Sequence, residues 1–286
     1  MKQLTARQAW NEMYNRVLGG DISAPRGRET VEIRNAQFVL HAHQHLDPRV
    51  GRNISLDYVR REFLWYMLGD RFDTRIQNYA PIWKTCINKD GGINSNYGQY
   101  LFGQGIPFTQ ALAFLAKDQD SRRCWIPILN TQHIMESNTN DVPCHTGFGF
   151  RLIKRPFLAP LLDMSVHHRS LDMWHGAAND FAIAFLWQLL AQVYLKSCHI
   201  ETQLGTITHN VESAHFYDRH IDKAIETVNN TATRLEVQQA TYLLSSGFDL
   251  TDMYFFFGQG LPSTLGSWLL DIEGAYGKDD LAWSTI

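Results

Sequence analysis

The sequence predicts an α+β fold in a single domain spanning residues 1–286. First, 44% of the 286 residues are hydrophobic and 19% are charged, which suffices for one substantial core. Second, segments with apolar residues at helical three- and four-residue spacing are interspersed with segments in which apolar residues alternate, as in strands. Third, no internal repeat, low-complexity tract or clear linker divides the chain.

The first elements are a helix and a strand. Residues 4–18 predict a helix because apolar residues such as Trp10 and Met13 recur at helical spacing. Residues 30–33 alternate as a strand does, and residues 37–40 continue the pattern.

A second helix is predicted at residues 55–68. Ser55 is a suitable N-cap, and Phe63 and Tyr66 belong to the apolar face. Glu62 lies at the edge of that face and has two interpretations. It could be an exposed helix glutamate, or a carboxyl admitted to a cavity, where burial would raise its pKa and suit it to proton transfer.

The later part of the chain alternates between the two element types. Helices are predicted at 107–117, 181–198 and 213–228, and strands at 124–129, 145–154 and 204–211. The helix at 181–198 is strongly apolar, which predicts a buried position, and residues 178–180 are expected to cap it. Residues 157–166 are a further short apolar stretch, and residues 234–286 suggest only short strands and loops.

Composition narrows the classes of function. A net charge of −3 gives no broad basic surface for nucleic acid. Four widely spaced cysteines without a C-x-x-C pair argue against a disulfide scaffold or a zinc ribbon and indicate a reduced protein. The N-terminus has no apolar signal core, and no apolar run approaches the ~20 residues of a membrane helix. We therefore expect a cytoplasmic protein without nucleic acid or membrane partners.

A histidine tract at residues 41–45 is a candidate metal site. On a strand, His41, His43 and His45 would share one face. No cluster of carboxylates or cysteines nearby completes a ligand set, so we expect no metal.

Cys144 is the first candidate catalytic residue. It follows Pro143 and precedes His145 at the start of an alternating apolar run, which predicts a thiol at the rim of a strand. The thiol could be a nucleophile or a buried, inert cysteine. Arg169 is expected to hold a substrate phosphate near it.

Other polar residues are candidates for binding. Arg122 and Arg123 precede an apolar strand and could be an ordinary polar rim or an anion clamp. Arg26 and Arg28 lie in a loop that we expect to be mobile. Tyr97 lies among small polar residues, which is typical of a site loop.

In their order and spacing, these pieces resemble one family: thymidylate synthase and its relatives, the pyrimidine nucleotide hydroxymethylases. The matching motifs are EFLW at 62–65, IW at 82–83, NYG at 96–98, DSRR at 120–123, PCH at 143–145, RSLD at 169–172, Gly176 and HFY at 215–217. The resemblance covers about residues 25–225. It implies a thymidylate-synthase-like fold: a mixed β-sheet packs with helices around a long central helix, and one sheet face forms a homodimer interface.

The resemblance also implies a reaction. Cys144 would add to C6 of a pyrimidine nucleotide, and C5 would then take up the methylene group of the co-substrate 5,10-methylenetetrahydrofolate. Glu62 and Tyr97 would transfer protons, and nearby arginine charge would lower the pKa of the Cys144 thiol. No metal is implied.

Binding roles follow from the same resemblance. The nucleotide would be bound by Arg169, Ser170, Arg122, Arg123, Arg26, Arg28, His168, Asn179, His215 and Tyr217. The folate would be bound by Ile82, Trp83, Asp172 and Gly176. Arg122 and Arg123 would reach the phosphate from the other subunit of a homodimer, and His215 and Tyr217 would hold the sugar 3'-hydroxyl.

One departure from the synthases concerns the base. Asp180 stands eleven residues after Arg169, where the synthases have asparagine. A carboxyl there accepts from the amino group of cytosine and, when ionised, faces O4 of uracil as acceptor against acceptor. Asp180 could instead serve only as a helix cap, and a shift of one position would place Asn179 there and indicate uracil.

Further departures concern the product. His168 replaces a glutamine, Cys86 replaces a folate-site tryptophan, and residues 282–286 lack the synthase ending that closes the site. A closed, dry site favours hydride transfer, whereas a wetter site lets water add. The departures therefore favour a hydroxymethyl product.

The sequence thus predicts a folate-dependent hydroxymethylase of dCMP or CMP that releases tetrahydrofolate. The alternatives are thymidylate synthase, hydroxymethyl-dUMP synthase or dCMP methyltransferase of the same fold. A non-catalytic nucleotide-binding relative is disfavoured, because Cys144, Arg169, Glu62 and Tyr97 occur together. The setting could be viral DNA modification, in a host cytoplasm, or biosynthesis of a modified nucleoside.

Overall fold

A computed structural model describes residues 6–41, 44–45, 52, 55–103, 105–135, 139 and 141–229. The helices are α1 (Ala6–Leu18), α2 (Leu56–Leu68), α3 (Gly98–Leu101), α4 (Pro107–Lys117), α5 (Thr131–Met135), α6 (Ala177–Ser197) and α7 (Asp218–Asn229). The strands are β1 (Asp21–Ser23), β2 (Thr30–His41), β3 (Trp125–Pro127), β4 (His145–Arg155), β5 (Leu158–His168), β6 (Leu171–Asp172) and β7 (Gln203–Tyr217).

The strands form one mixed sheet in the order β1-β2-β7-β5-β4-β3, with β6 also pairing with β7. Neighbours are antiparallel except at β5–β7 and β6–β7, which are parallel. The α+β class and the mixed sheet are therefore confirmed. Because β5 and β7 lie side by side, residues about 40 positions apart in the chain, such as Val166 and His209, become register partners.

The core lies between one face of this sheet and the helices. Side chains at alternate strand positions, including Phe148, Phe150, Met164 and Ile207, are buried. The apolar helix α6 contacts α2, α4, β5 and β7 and is buried along most of its length, as its uniformly apolar sequence predicts. No helix within the described ranges is long and apolar enough to span a membrane.

Two predicted helix starts are wrong. Helix α6 begins at Ala177 rather than 181, with Gly176 as its N-cap residue, so Asp180 lies inside the first turn and does not cap the helix. Residues 213–217 belong to β7 and not to a helix, because this strand pairs with β2 from Thr30↔Tyr217 to His41↔Thr206. The long ladder outweighs the local helix-start signal at Ser213.

The histidine tract also differs from its prediction. His41 is the exposed last residue of β2, whereas His45 lies beyond the strand and is fully buried, so the two do not share a strand face. His43 and the tail at 282–286 lie outside the described residues. The prediction that residues 1–286 form one domain stays a prediction.

Candidate active site

The loop that carries Cys144 is fastened to a second loop. The carboxylate of Asp141 accepts from the backbone N–H of Ser95 at 2.7 Å and from the Ser95 hydroxyl. The Asn94 amide donates to the Asp141 carbonyl at 3.1 Å. These buried bonds place the segment before Cys144 against residues 94–97.

Arg169 contacts Cys144 from the end of β5. Its guanidinium donates to the carbonyls of Pro143 (2.9 Å) and Val142 (2.6 Å), and Nη2 lies 3.8 Å from the Cys144 Sγ. Burial raises the pKa of the Cys144 thiol to about 11, although the Arg169 charge lowers it. The expected effect of arginine charge on the thiol pKa is thus present, but desolvation outweighs it in this single chain.

Glu62 is buried on α2, so the interpretation as an exposed helix residue is wrong. Its Oε1 accepts from the Tyr66 hydroxyl at 3.0 Å, and its Oε2 is buried without a hydrogen-bond partner among the described residues. Burial raises the pKa of the Glu62 carboxyl to about 7. This carboxyl can therefore hold or release a proton near neutral pH, as a general acid or base requires.

Aromatic rings connect Glu62 with Cys144. Tyr97 is buried between Tyr66 and His145, with ring centroids 5.2 and 4.4 Å away and nearly parallel planes. His145 follows Cys144 directly, and both of its ring nitrogens are buried with no hydrogen-bond partner in the described part of the chain. Burial lowers its pKa to about 3, so this imidazole is neutral.

Asp180 faces the same site from the first turn of α6. Its Oδ1 lies 3.8 Å from His145 Nε2, too far for a hydrogen bond. Burial, with the negative charges of Glu62 and Asp172, raises its pKa well above the usual value. The neighbouring Asn179 is buried, and its amide oxygen has no partner. Among the described residues, Glu62, His145 and Asn179 thus have buried polar atoms without hydrogen-bond partners, as a polar binding site would require.

A file of buried imidazoles leads away from this site. His168 Nε2 lies 3.1 Å from His209 Nδ1, and His209 Nε2 lies 3.3 Å from His45 Nε2. His45 Nδ1 lies 3.0 Å from the carbonyl oxygen of His41. The sequence analysis did not single out His209. Its signal is a histidine at an inward position of β7, between the buried Ile207 and Val211.

The candidates for the sugar site, His215 and Tyr217, lie beside the folate candidate Asp172 where β6 pairs with β7. Asp172 is the register partner of His215, whose ring lies 5.1 Å from that of Tyr217. Asp172 Oδ1 accepts from the backbone N–H groups of Trp174 and His175, and so shapes the turn before α6. Ser170 is half-buried in the short connection between β5 and β6.

Two of the four folate candidates, Ile82 and Trp83, lie in a short 3-10 segment, Pro81–Cys86. Ile82 is 66% exposed, and the Trp83 indole N–H donates to the Tyr58 hydroxyl at 2.7 Å. The negative charge of Glu62 is among the causes that raise the pKa of Tyr58. Tyr58 therefore lies close enough to interact both with Trp83 and with Glu62, the proton-transfer candidate. The sequence analysis did not single out Tyr58.

Two pairs of arginines that were predicted to bind the nucleotide do not contact Cys144 or Arg169 in the described part of this chain. Arg26, Arg28, Arg122 and Arg123 are exposed, and among the described residues no hydrogen bond or ion pair joins them to Cys144 or Arg169. The binding roles predicted for them stay predictions.

His145, His168 and Asp180 each offer a donor atom within 4.8 Å of the others, a group that could also hold a metal ion. It is not the predicted group at residues 41–45. The expectation that no metal is needed stays a prediction.

Comparison with known proteins gives a consistent pattern. The family model described as Thymidylate synthase matches residues 8–253. Deoxycytidylate 5-hydroxymethyltransferase of Enterobacteria phage T4 is 27% identical over 203 residues, which cover 68% of this chain and 78% of that protein. Thymidylate synthase of Fusobacterium nucleatum is 28% identical over 172 residues, covering 58% of each chain.

Proposed function

Because the chain belongs to the thymidylate synthase family, we propose that it is a folate-dependent hydroxymethylase of dCMP or CMP. The proposed reaction joins the nucleotide, the methylene group of 5,10-methylenetetrahydrofolate and water, and gives the 5-hydroxymethyl nucleotide and tetrahydrofolate. The similarity to a phage deoxycytidylate 5-hydroxymethyltransferase supports this choice.

The observation that carries the proposal is the position of the Asp180 carboxyl, whose Oδ1 lies 3.8 Å from Nε2 of His145, the residue next to Cys144. A neutral carboxyl has one donor and one acceptor, so it can donate to N3 of cytosine and accept from the N4 amino group. The ionised form still accepts from N4 but repels O4 of uracil. From the first turn of α6, its Oδ1 lies near His145 Nε2, which is buried without a partner among the described residues.

The residues around Cys144 fit the proposed bond changes. The Cys144 thiolate adds to C6, the electron pair moves to C5, and C5 forms a bond to the methylene carbon that the folate supplies. Glu62, with a pKa near neutrality, accepts the C5 proton through ordered water while tetrahydrofolate leaves. Water then adds to the exocyclic methylene, and the Cys144–C6 bond breaks to regenerate the thiol.

The ligands would occupy two sides of Cys144. Arg169, with guanidinium N–H groups left after its two carbonyl bonds, would hold the phosphate, and His215 and Tyr217 would hold the sugar. Ile82 and the half-buried Trp83 offer an apolar surface to the folate ring.

We extend the proposal to a homodimer that completes the phosphate site. Arg122 and Arg123 are exposed and lie away from Arg169 in their own chain, so they are available to a partner's site. A cavity of about 540 Å³ opens at one sheet face beside Arg169, lined in part by Gln37, His167 and Asn210. Exposed Trp125 and Val39 add apolar area for an interface.

A second candidate function is thymidylate synthase or another uridylate-specific activity. The Fusobacterium nucleatum similarity favours it, and so does Asn179, whose buried, unpartnered amide oxygen could accept from N3–H of uracil.

A direct assay decides between the candidates. Purified protein with 5,10-methylenetetrahydrofolate is given dCMP, CMP or dUMP, and mass spectrometry identifies the products. We expect a hydroxymethyl cytosine nucleotide with tetrahydrofolate. Formation of dihydrofolate from dCMP would indicate a methyltransferase instead, and faster turnover of dUMP would refute the cytosine assignment. Cys144→Ala provides the inactive control.

A further inference from the structure

Three buried imidazoles, those of His45, His209 and His168, form a hydrogen-bonded file that ends at the base site beside Asp180. We propose that this file locks His168 in one tautomer, so that its Nδ1 is the second acceptor for the exocyclic amino group of the substrate cytosine. The inference rests on the proposed function and names the group that sets its base specificity.

The tautomer follows from the anchored end of the file. The carbonyl oxygen of His41 can only accept, so the facing His45 Nδ1 carries hydrogen. In a neutral ring, His45 Nε2 is then an acceptor, and His209 must donate to it from Nε2. His209 Nδ1 is therefore an acceptor, and His168 donates to it from Nε2. His168 Nδ1 is left as a lone-pair acceptor, and it is buried without a partner among the residues that the structure describes.

The surroundings keep the file neutral. His45 stacks on Phe185 at 6.2 Å, and His209 stacks on Phe181 at 3.7 Å, so the rings lie among apolar side chains. Burial lowers the pKa of His168 and of His209 well below the usual value. Within the described residues, no carboxylate is hydrogen-bonded to the ring of His168 or of His209.

A second acceptor is needed because a protonated Asp180 alone does not separate the two bases. With cytosine, its O–H donates to N3 and its carbonyl oxygen accepts from N4–H. With uracil, its O–H donates to O4 and its carbonyl oxygen accepts from N3–H, so both pairings make two hydrogen bonds. The bases differ in what remains: N4 keeps a second hydrogen, whereas O4 keeps a lone pair. A fixed acceptor at this point stabilises cytosine and repels uracil.

The spacing suits this role. A donor atom of His168 and an oxygen of Asp180 lie within 4.8 Å of each other. Two acceptors that share one amino group are ~5 Å apart when each hydrogen bond is ~2.9 Å long. An amino group held between the two side chains can therefore bond to both of them. The interaction would be lost if His168 presented N–H instead of a lone pair at Nδ1.

The first experiment observes the tautomer itself. Protein with 15N-labelled histidine is examined by long-range 1H–15N NMR at neutral pH, with His168→Gln used to assign the signals. We expect a pyridine-type Nδ1 and a pyrrole-type Nε2 for His168. The opposite tautomer, or a cationic ring, would overturn the inference. This measurement needs no catalytic activity, so it stands even if the proposed function fails.

The second experiment breaks the file at a distance from the substrate. His209→Phe removes the acceptor for His168 Nε2, whereas His209→Gln retains a donor and an acceptor in the required order. We expect the ratio of kcat/KM for dCMP to that for dUMP to fall at least ~10-fold in His209→Phe and to recover in His209→Gln. A fall in kcat for both nucleotides without a change in this ratio would indicate a merely structural role and refute the inference.

Binding measurements separate the possible failures. Calorimetry of dCMP and dUMP without folate reports base preference in protein that has no turnover. If wild-type protein prefers dUMP, the proposed function fails whatever the tautomer. If wild-type protein prefers dCMP and folded His209→Phe keeps that preference, the histidine file does not set the base specificity. The hydroxymethylase proposal then survives. Should His209→Phe not fold, His168→Leu provides the same comparison, with loss of the dCMP preference expected.

Discussion

Glu62 and Tyr66 lie one helical turn apart on the buried face of α2, and the Tyr66 hydroxyl donates to only one of the two Glu62 oxygens. Burial removes the carboxyl from water and favours its protonated form, which outweighs the opposite effects of the Tyr66 hydrogen bond and the Arg52 charge on its pKa. Its pKa of about 7, against an ordinary value of 4.5, expresses this preference and gives it a measurable effect on stability.

Glu62→Gln should stabilise the protein at alkaline pH. In wild type, the unfolded chain releases the proton above pH 4.5 while the folded chain holds it to about pH 7, so stability falls as pH rises through this window. The loss amounts to at most ~3 kcal/mol. Urea unfolding should show the variant more stable at pH 8 by up to this amount, with little difference at pH 4.5. The exposed Glu12→Gln is the control, and equal effects at both pH values would contradict the prediction.

The thiol of Cys144 should react slowly with iodoacetamide at neutral pH in the free protein. Its alkylation, followed by mass spectrometry of the peptide, should increase with an apparent pKa of about 11. Because the Arg169 charge favours the thiolate, Arg169→Gln should raise that pKa further, while the charge-retaining Arg169→Lys should stay close to wild type. A wild-type value below that of an ordinary thiol would be incompatible with this account.

Asp180→Asn should shift preference towards dUMP. The amide has a permanent donor for O4 and cannot become the negative group that repels it. We expect the dCMP/dUMP ratio of kcat/KM to fall by ~10-fold or more at a pH high enough to ionise wild-type Asp180, because the neutral carboxyl offers the same donor and acceptor as the amide. Asn179→Ala is the matched control for the neighbouring position. If that variant alters the ratio and Asp180→Asn does not, then Asn179 faces the base.

Mixed dimers test the shared phosphate site. Cys144→Ser and Arg123→Ala should each be nearly inactive, but subunit exchange should restore roughly a quarter of wild-type activity, because half of the dimers then have one intact site. Mixing Cys144→Ser with Arg169→Ala should restore nothing, since both residues serve the same site from one chain. Equal behaviour of the two mixtures would contradict a shared site.

The sequence predicted elements best where the local pattern and the tertiary contacts agree. Helix α2 was predicted at 55–68 and occurs at Leu56–Leu68, because its cap and apolar face need no distant information. The segment at 213–217 was assigned to a helix because its partner, β2, is about 180 residues away in the chain.

The candidate site shows the same division. Motifs indicated Cys144, Arg169 and Glu62, and the structure brings Arg169 into contact with Cys144 and buries Glu62 as the sharper interpretation required. The histidine file could not be predicted, because it depends on β7 lying between β2 and β5. The net rise in the pKa of Cys144 depends on burial, which a list of nearby charges does not reveal.

Arg169 bonds to the two carbonyls that precede Cys144, and its backbone N–H donates to the Cys144 carbonyl at 2.9 Å. The group expected to receive the phosphate is thus part of the scaffold of the nucleophile's own peptide. A nucleotide whose phosphate binds to Arg169 would be aligned by a side chain that the folded protein already holds in place. Binding therefore does not have to order a flexible segment. Because the phosphate lies at a fixed distance from C6, its binding would place C6 next to the Cys144 thiol. A nucleoside without its phosphate would therefore lose alignment as well as affinity.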